Sequence, residues 1–348
     1  MEVRIVKTSQ PASDRAFHVC CPLTINHVRI VPSPMHARIA QPAHGNPQKR
    51  YYDFKTYLRD VFGARVAKLP IDAGFTCPNR DGRAGWGGCT FCDGRGSALR
   101  RAGALPSVTN QLVAMRERYL RHGFERFIPY FQTFTNTDAP LPRLRALWDE
   151  AVAFSPDVVG LAVGTRPDCV PDATLDLLAT YRDRVRVHLE LGVQSAHPAT
   201  IARINRGHTY EQFDDAVRRA TARGIEVIAH VILGLPGETP EMMRETARSL
   251  ATLPLAGLKI HALLVIEGTA LADQWRRGEI ALPDLPTYAG WVADFLELTP
   301  PGVFIERLTT DSHRDVLLAP AWSGGKLAVL NAIERELTLR NTHQGIGR

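Results

Sequence analysis

The stretch Cys77-Pro78-Asn79-Arg80-Asp81-Gly82-Arg83-Ala84-Gly85-Trp86-Gly87-Gly88-Cys89-Thr90-Phe91-Cys92 gathers three thiols within sixteen residues of a 348-residue chain. Cys89 and Cys92 form a C-x2-C pair, and Cys77 stands upstream across a loop holding four glycines, Gly82, Gly85, Gly87 and Gly88. Glycines reach the left-handed backbone conformations that wrap a loop round an inorganic core, and they leave amide N–H groups facing anionic sulfur. A structural zinc site closes with four ligands, whereas this loop offers three cysteines and no neighbouring histidine. Iron–sulfur clusters are also held by thiolates, and one held by only three keeps an iron open to another ligand. A redox dithiol would use the C-x2-C pair but not the third cysteine or the glycines.

Beyond this loop the chain is 45% apolar, typical of a globular protein with one large core or two modest ones. The longest apolar runs, Ile225 to Leu233 and Leu258 to Ile266, contain His230 and His261 and are strand-sized, so no membrane partner is expected. A net charge of +6 and a pI near 9.1 permit a polyanionic partner such as RNA without showing one. Six cysteines in a chain this long do not make a disulfide scaffold. A clustered trio reads as a metal site in a reducing compartment, and the expected location is cytoplasmic.

Residues 1–48 are proline-rich with little periodicity and read as a poorly ordered extension. Their adjacent Cys20 and Cys21 make a poor chelating pair. Glu2 and Asp14 are the only acids there, which fits a transit peptide or a start codon assigned too far upstream.

From about residue 65 short β-branched runs alternate with amphipathic segments. The expected strands are Arg65 to Ile71, Phe127 to Gln132, Val158 to Val163, Val185 to Leu191, Glu226 to Leu233 and Leu258 to Val265. The expected helices are Val108 to Arg121, Leu141 to Phe154, Pro171 to Tyr181, Tyr210 to Arg223 and Pro240 to Leu253. Six βα units predict an α/β fold with a parallel sheet and right-handed crossovers, either doubly wound or a barrel. In a barrel the chemistry gathers at the C-terminal strand ends, where the polar residues cluster here.

The segment Ile71-Asp72-Ala73-Gly74-Phe75-Thr76-Cys77-Pro78-Asn79-Arg80-Asp81-Gly82, closing on Gly88-Cys89-Thr90-Phe91-Cys92, resembles the YhcC-like branch of the radical S-adenosylmethionine (SAM) enzymes. Most radical SAM proteins space these cysteines C-x3-C-x2-C. The wider first gap matches the branch that includes the catalytic subunit of Elongator. The resemblance covers about residues 50–345 and selects a partial (β/α)6 TIM-type barrel, residues 49–299, with a small C-terminal domain, residues 300–348. It implies that Cys77, Cys89 and Cys92 ligate a [4Fe-4S] cluster and that SAM chelates the fourth iron. The implied reaction is reductive cleavage of SAM to a 5′-deoxyadenosyl radical that abstracts hydrogen from a substrate.

The same resemblance places Phe91 beside the adenine of SAM. It puts Gln132, Thr135 and Asn136, from the polar run Tyr130 to Thr137, where the family holds the SAM amino group. Thr165 and Arg166 end the third strand, and Arg166 can pair with Asp168 or bind substrate. Glu190 lies inside an apolar strand, where an unpaired carboxylate is costly, so it takes a ligand or a salt bridge to Arg166 or Arg206. Gln194 follows on that strand. Arg206, in Asn205-Arg206-Gly207-His208-Thr209, and His230 and Leu233, before a Gly-Leu-Pro-Gly turn, complete the expected cofactor-binding set. Lys259 and His261 share one strand face, and His261 can hold a structural hydrogen bond or transfer a proton. Cys169 reads as a small buried residue or a radical relay.

The expected partners are SAM, a reductant such as flavodoxin or ferredoxin, and a substrate for which a tRNA base is the first choice; a small metabolite or protein side chain stays open. The alternative from another class is a non-catalytic zinc-binding module that contacts nucleic acid.

Overall fold

Seven parallel strands carry the fold. The computed structural model describes residues 49–94, 104–310 and 315–348, all within one continuous unit. The expectations for residues 1–48, including Cys20 and Cys21, lie outside the described residues.

The strands are β1 (Val66–Ile71), β2 (Arg126–Phe131), β3 (Gly160–Thr165), β4 (Arg186–Gln194), β5 (Glu226–Leu233), β6 (Gly257–Ala262), β7 (Val265–Ile266), β8 (Phe304–Arg307) and β9 (Leu317–Ala319). The helices are α1 (Phe54–Phe62), α2 (Val108–Leu120), α3 (Leu141–Ala153), α4 (Asp172–Ala179), α5 (Pro198–Arg203), α6 (Tyr210–Ala222), α7 (Pro240–Ala251), α8 (Ala270–Arg276), α9 (Leu285–Leu298) and α10 (Lys326–Leu339). The sheet runs β1-β2-β3-β4-β5-β6-β8, with every neighbouring pair parallel, and β7 and β9 form a separate antiparallel ribbon. This is the expected partial barrel with one strand more than six. The expected Leu258 to Val265 strand divides into β6 and β7.

Alternating β and α segments give this architecture because each crossover helix buries one apolar stripe on the outer face of the sheet. Leu112, Trp148, Phe213 and Phe295 are fully buried there. Thr209 caps α6 as expected, in a reciprocal capping box with Gln212. On the concave side Tyr57, Val66, Ile128, Ala162, Ile228 and Phe304 form a separate apolar cluster near the strands' N-terminal ends. The outer edge of β8 is covered by the incoming chain, since Ile305 N–H donates to Tyr52 O at 2.7 Å. Gln344 then ties the segment before α1 to the segment after α10, its N–H donating to Arg50 O and its Oε1 accepting from Tyr52 N–H, each at 2.9 Å.

Beside the apolar plug, Glu226 accepts from Tyr57 Oη (2.5 Å), pairs with Arg186 (2.8 Å) and meets His188 Nε2 (3.0 Å). Burial pushes the Glu226 carboxyl up, but His188 and Arg186 outweigh it and hold the group at about 2. A folded-state value below the ordinary 4.5 stabilises the fold above that pH, and the stabilisation is lost as pH falls toward 2. Glu226→Gln is therefore expected to lower stability by about 1–3 kcal/mol at pH 7. Urea denaturation at pH 7 and pH 3 checks this: the difference between variant and parent narrows in acid, and an equal difference at both pH values refutes the assignment.

Candidate functional site

The C-terminal strand ends open into a cavity of about 310 Å³ whose lining includes Cys77, Cys89 and Cys92. The cysteine loop is fastened by two asparagines. Asn79 is fully buried and donates through Nδ2 to Asn205 O at 2.6 Å, while Asn205 Nδ2 donates to Gly88 O (2.8 Å) and Trp86 O (3.1 Å). Gly88 adopts φ +80°, and the Arg80 guanidinium fills the space where its Cβ would stand. That guanidinium donates to Cys92 O at 2.6 Å, locking the last turn of the loop.

Among the described residues no three Cys, His, Asp or Glu side chains converge on one metal ion. The thiols instead line a shared cavity, as a cage of several irons, each taking its own thiolate, requires. Two donors face the most buried sulfur: Arg206 Nη1 lies 3.6 Å and Asn79 Nδ2 3.8 Å from Cys89 Sγ. Donors of this kind stabilise thiolate and tune an iron–sulfur cluster. Arg206 is held by donating Nη2 to Gly192 O at 2.9 Å, and a Cβ on Gly192 would stand 2.6 Å from that same nitrogen. The residues present fit a three-thiolate cluster.

Of the remaining expected site residues, Phe91, Gln132, Thr135, Thr165, Arg166, Glu190, Gln194, Arg206 and His230 also line the cavity. Phe91 packs on the apolar cluster that contains Ile232 and Leu263. Thr135 Oγ1 and Gln194 Oε1 are buried polar atoms with no protein partner. Gln194 sits at φ +68° beside the register shift of β4, and Phe134 at φ +64° beside Thr135. Left-handed non-glycine residues are costly and persist where the surroundings impose them, often at ligand clamps.

The structure does not bring Asn136 or Leu233 to this wall. Asn136 spends its amide on Phe131 O (3.1 Å) and Gly164 O (2.8 Å), tying β2 to β3. Leu233 faces the core outside the sheet, and Ile232 takes the cavity position because neighbouring strand residues point to opposite faces. Arg166 pairs with Asp168 through Nε (3.0 Å) and Nη2 (2.8 Å) and donates to Arg206 O and Gly207 O, so it braces the loop. Cys169 lies in a neighbouring surface pocket and its thiol is pushed up to about 12, first by burial.

Beneath the cavity lies a group of side chains that the sequence reading did not assemble. Glu190 Oε1 accepts from Lys68 (2.6 Å), and its Oε2 from Lys259 (2.9 Å), Tyr130 Oη (2.6 Å) and His230 Nε2 (2.6 Å). Glu306 closes a square with the same lysines, at 2.5 Å to Lys68 and 3.0 Å to Lys259. The expected partners of Glu190, Arg166 and Arg206, are engaged elsewhere. Glu190 thus has salt-bridge partners other than the two the sequence suggested. Burial pushes Glu190 up, but Lys259 and Lys68 prevail and hold it well below the carboxylate range. Burial likewise lowers the Lys68 ammonium, yet Glu190 and Glu306 raise it overall. A period-2 reading of Lys68, Glu190, Lys259 and Glu306 as inward positions was the available signal.

A profile described as "Radical SAM superfamily" matches residues 77–250, and one described as "Radical_SAM C-terminal domain" matches residues 255–338. Protein YhcC of Escherichia coli is 38% identical over 291 residues, covering 83% of this chain and 93% of that protein. A "tRNA uridine(34) acetyltransferase" of Dehalococcoides mccartyi is 31% identical over 156 residues, 44% of this chain and 33% of the relative. The solved structure of Elp3 from the archaeon Methanocaldococcus infernus superposes with a TM-score of 0.63 at 17% identity, covering 81% of this chain and 64% of that one, and supports the fold.

Removing one member of the buried square strands its opposite charges. Lys259→Met is expected to destabilise the protein by about 3–5 kcal/mol, and Lys259→Met combined with Glu306→Gln by clearly less than the sum of the two single changes. Denaturant titrations of the three variants check this, and simple additivity would break the claim.

Proposed function

This chain belongs to the radical SAM superfamily, enzymes that work with a [4Fe-4S] cluster and SAM, and from that premise we propose that Cys77, Cys89 and Cys92 hold the cluster at the mouth of this barrel. The observation that carries the assignment is the convergence of three thiols on one cavity with Arg206 and Asn79 directed at the most buried sulfur. Bound together, cluster and SAM supply one-electron cleavage of the sulfonium to a 5′-deoxyadenosyl radical, which abstracts hydrogen from substrate.

The chain's own residues bind and orient. The ring of Phe91 with Ile232 and Leu263 gives the adenine an apolar wall. The unpartnered Gln194 Oε1 and Thr135 Oγ1, with Gln132 and Thr165 alongside, offer hydrogen bonds to the amino and carboxylate ends of SAM and to its ribose. The backbone at Leu233 lies beside that wall and Asn136 holds the β2 and β3 ends in register, so both act indirectly. The cavity, closed below by the charged square, keeps bulk water from the reacting carbon.

For the substrate we favour a tRNA base. The support is the net charge of +6, which suits a polyanion, and the similarity to a relative whose name specifies tRNA uridine. A reductant such as flavodoxin or ferredoxin supplies the electron. Among the described residues no helix is long and apolar enough to cross a membrane.

Two measurements test this. Anaerobic reconstitution with iron and sulfide is expected to give a brown protein that forms 5′-deoxyadenosine from SAM with dithionite, and Cys92→Ala to lose at least about 100-fold of that activity. Unchanged nucleoside formation by Cys92→Ala, or a colourless protein holding zinc alone, overturns the cluster assignment. Comparison of modified nucleosides in tRNA from cells with and without the protein is expected to show one that disappears; identical profiles overturn the tRNA assignment.

A further inference from the structure

His230 projects from β5 into the cavity with Nε2 engaged by Glu190 Oε2 at 2.6 Å and its side chain 19% exposed. Glu190 is ionised and accepts from two ammoniums and a phenol, so this contact requires His230 to donate Nε2–H. The ring's second nitrogen, Nδ1, then carries a lone pair, and among the described residues no hydrogen bond to it is formed by the protein. A carboxylate that fixes the tautomer of an imidazole and leaves the other nitrogen toward the substrate is the arrangement general bases use.

In a simple carboxylate–imidazole pair the carboxylate also favours the imidazolium. Here Lys68 and Lys259 offset the charge of Glu190, and Glu306 balances the lysines. The groups facing His230 are Glu190 from β4, Lys259 and His261 from β6, Tyr130 from β2, and Glu306 and Arg307 from β8. Burial and Lys259 lower His230 below the ordinary histidine value despite Glu190, and burial and His230 lower His261 further. Both imidazoles are neutral at pH 7, their ring centres 5.4 Å apart.

We propose that His230 is a catalytic base of this enzyme, taking through Nδ1 a proton from a substrate N–H or O–H group adjacent to the carbon that loses its hydrogen atom, with Glu190 as its positioning residue. In that step the heteroatom–hydrogen bond breaks, its electron pair stays on the heteroatom, and the Nδ1 lone pair forms the new N–H bond. No electron is transferred, and the proton passes on to solvent or returns to product. The inference rests on the cavity being the site of the radical reaction proposed above.

His230→Gln keeps an amide N–H for Glu190 and removes the base. With unfractionated tRNA from cells lacking the protein as the probe, the variant's output is read relative to the 5′-deoxyadenosine it forms, which removes any change in SAM cleavage itself. Its yield of modified nucleoside per 5′-deoxyadenosine should fall about 100-fold. Unchanged coupling in the variant overturns the proposal. Nitrogen-15 NMR of histidine-labelled holoenzyme, assigned by loss of the signal in His230→Gln, reads the tautomer without turnover. Protonated Nε2 and bare Nδ1 from pH 6 to 8 support the proposal, and an Nδ1–H tautomer or an imidazolium at pH 7 sinks it. A parent protein that makes no 5′-deoxyadenosine strikes the cluster assignment, while the tautomer measurement still decides this one.

Discussion

Two lysines and two glutamates from β1, β4, β6 and β8 meet in the concave middle of the sheet, where related architectures place layers of branched aliphatic side chains. Such a layer is neutral only when all four members are present, because any three leave an uncompensated charge in a water-poor interior. It therefore links strands far apart in the chain and fixes their mutual position. The residues above it inherit that precision: Tyr130 and His230 are aimed by Glu190, and Lys259 shares its strand face with His261.

The cysteine loop is organised on a different principle. Asn205 and Arg80 donate to its carbonyls at Gly88 and Cys92, and Asn79 reaches out to Asn205 O, in a segment that Arg166 braces in turn through Arg206 O and Gly207 O. These polar tethers hold the loop while its sulfurs line the cavity. Directed polar contacts suit a loop that must present thiols to an inorganic core, because glycines supply the conformations and the tethers remove the freedom those glycines bring.

The βα rhythm was legible because each crossover helix has one apolar stripe and each central strand is a nearly unbroken apolar run. β8 was not, since Phe-Ile-Glu-Arg is four residues long with two charges, and its inward glutamate makes sense only beside lysines that the sequence cannot place. α9 was missed because it lies between α7 and α10 and buries Tyr288, Val292, Ala293, Phe295 and Leu296 on more than one side, which blurs the stripe. That Cys77, Cys89 and Cys92 lie together was readable from their spacing, and the cavity they share gathers them. The charged square was not, because Lys68 and Glu306 are 238 residues apart and each looks unremarkable in its own strand. Asn136 and Leu233 were assigned to the cofactor by the family resemblance. Their placement is decided by strand alternation and by carbonyls at the ends of β2 and β3, which only the folded sheet supplies.

The seventh strand of the sheet comes from the last sixth of the chain, and its outer edge is sealed by residues that precede the first strand. A ribosome emitting this protein has released nearly all of it before Glu306 exists to balance the two lysines. The charge balance of the interior thus cannot be completed until β8 has been made, late in translation.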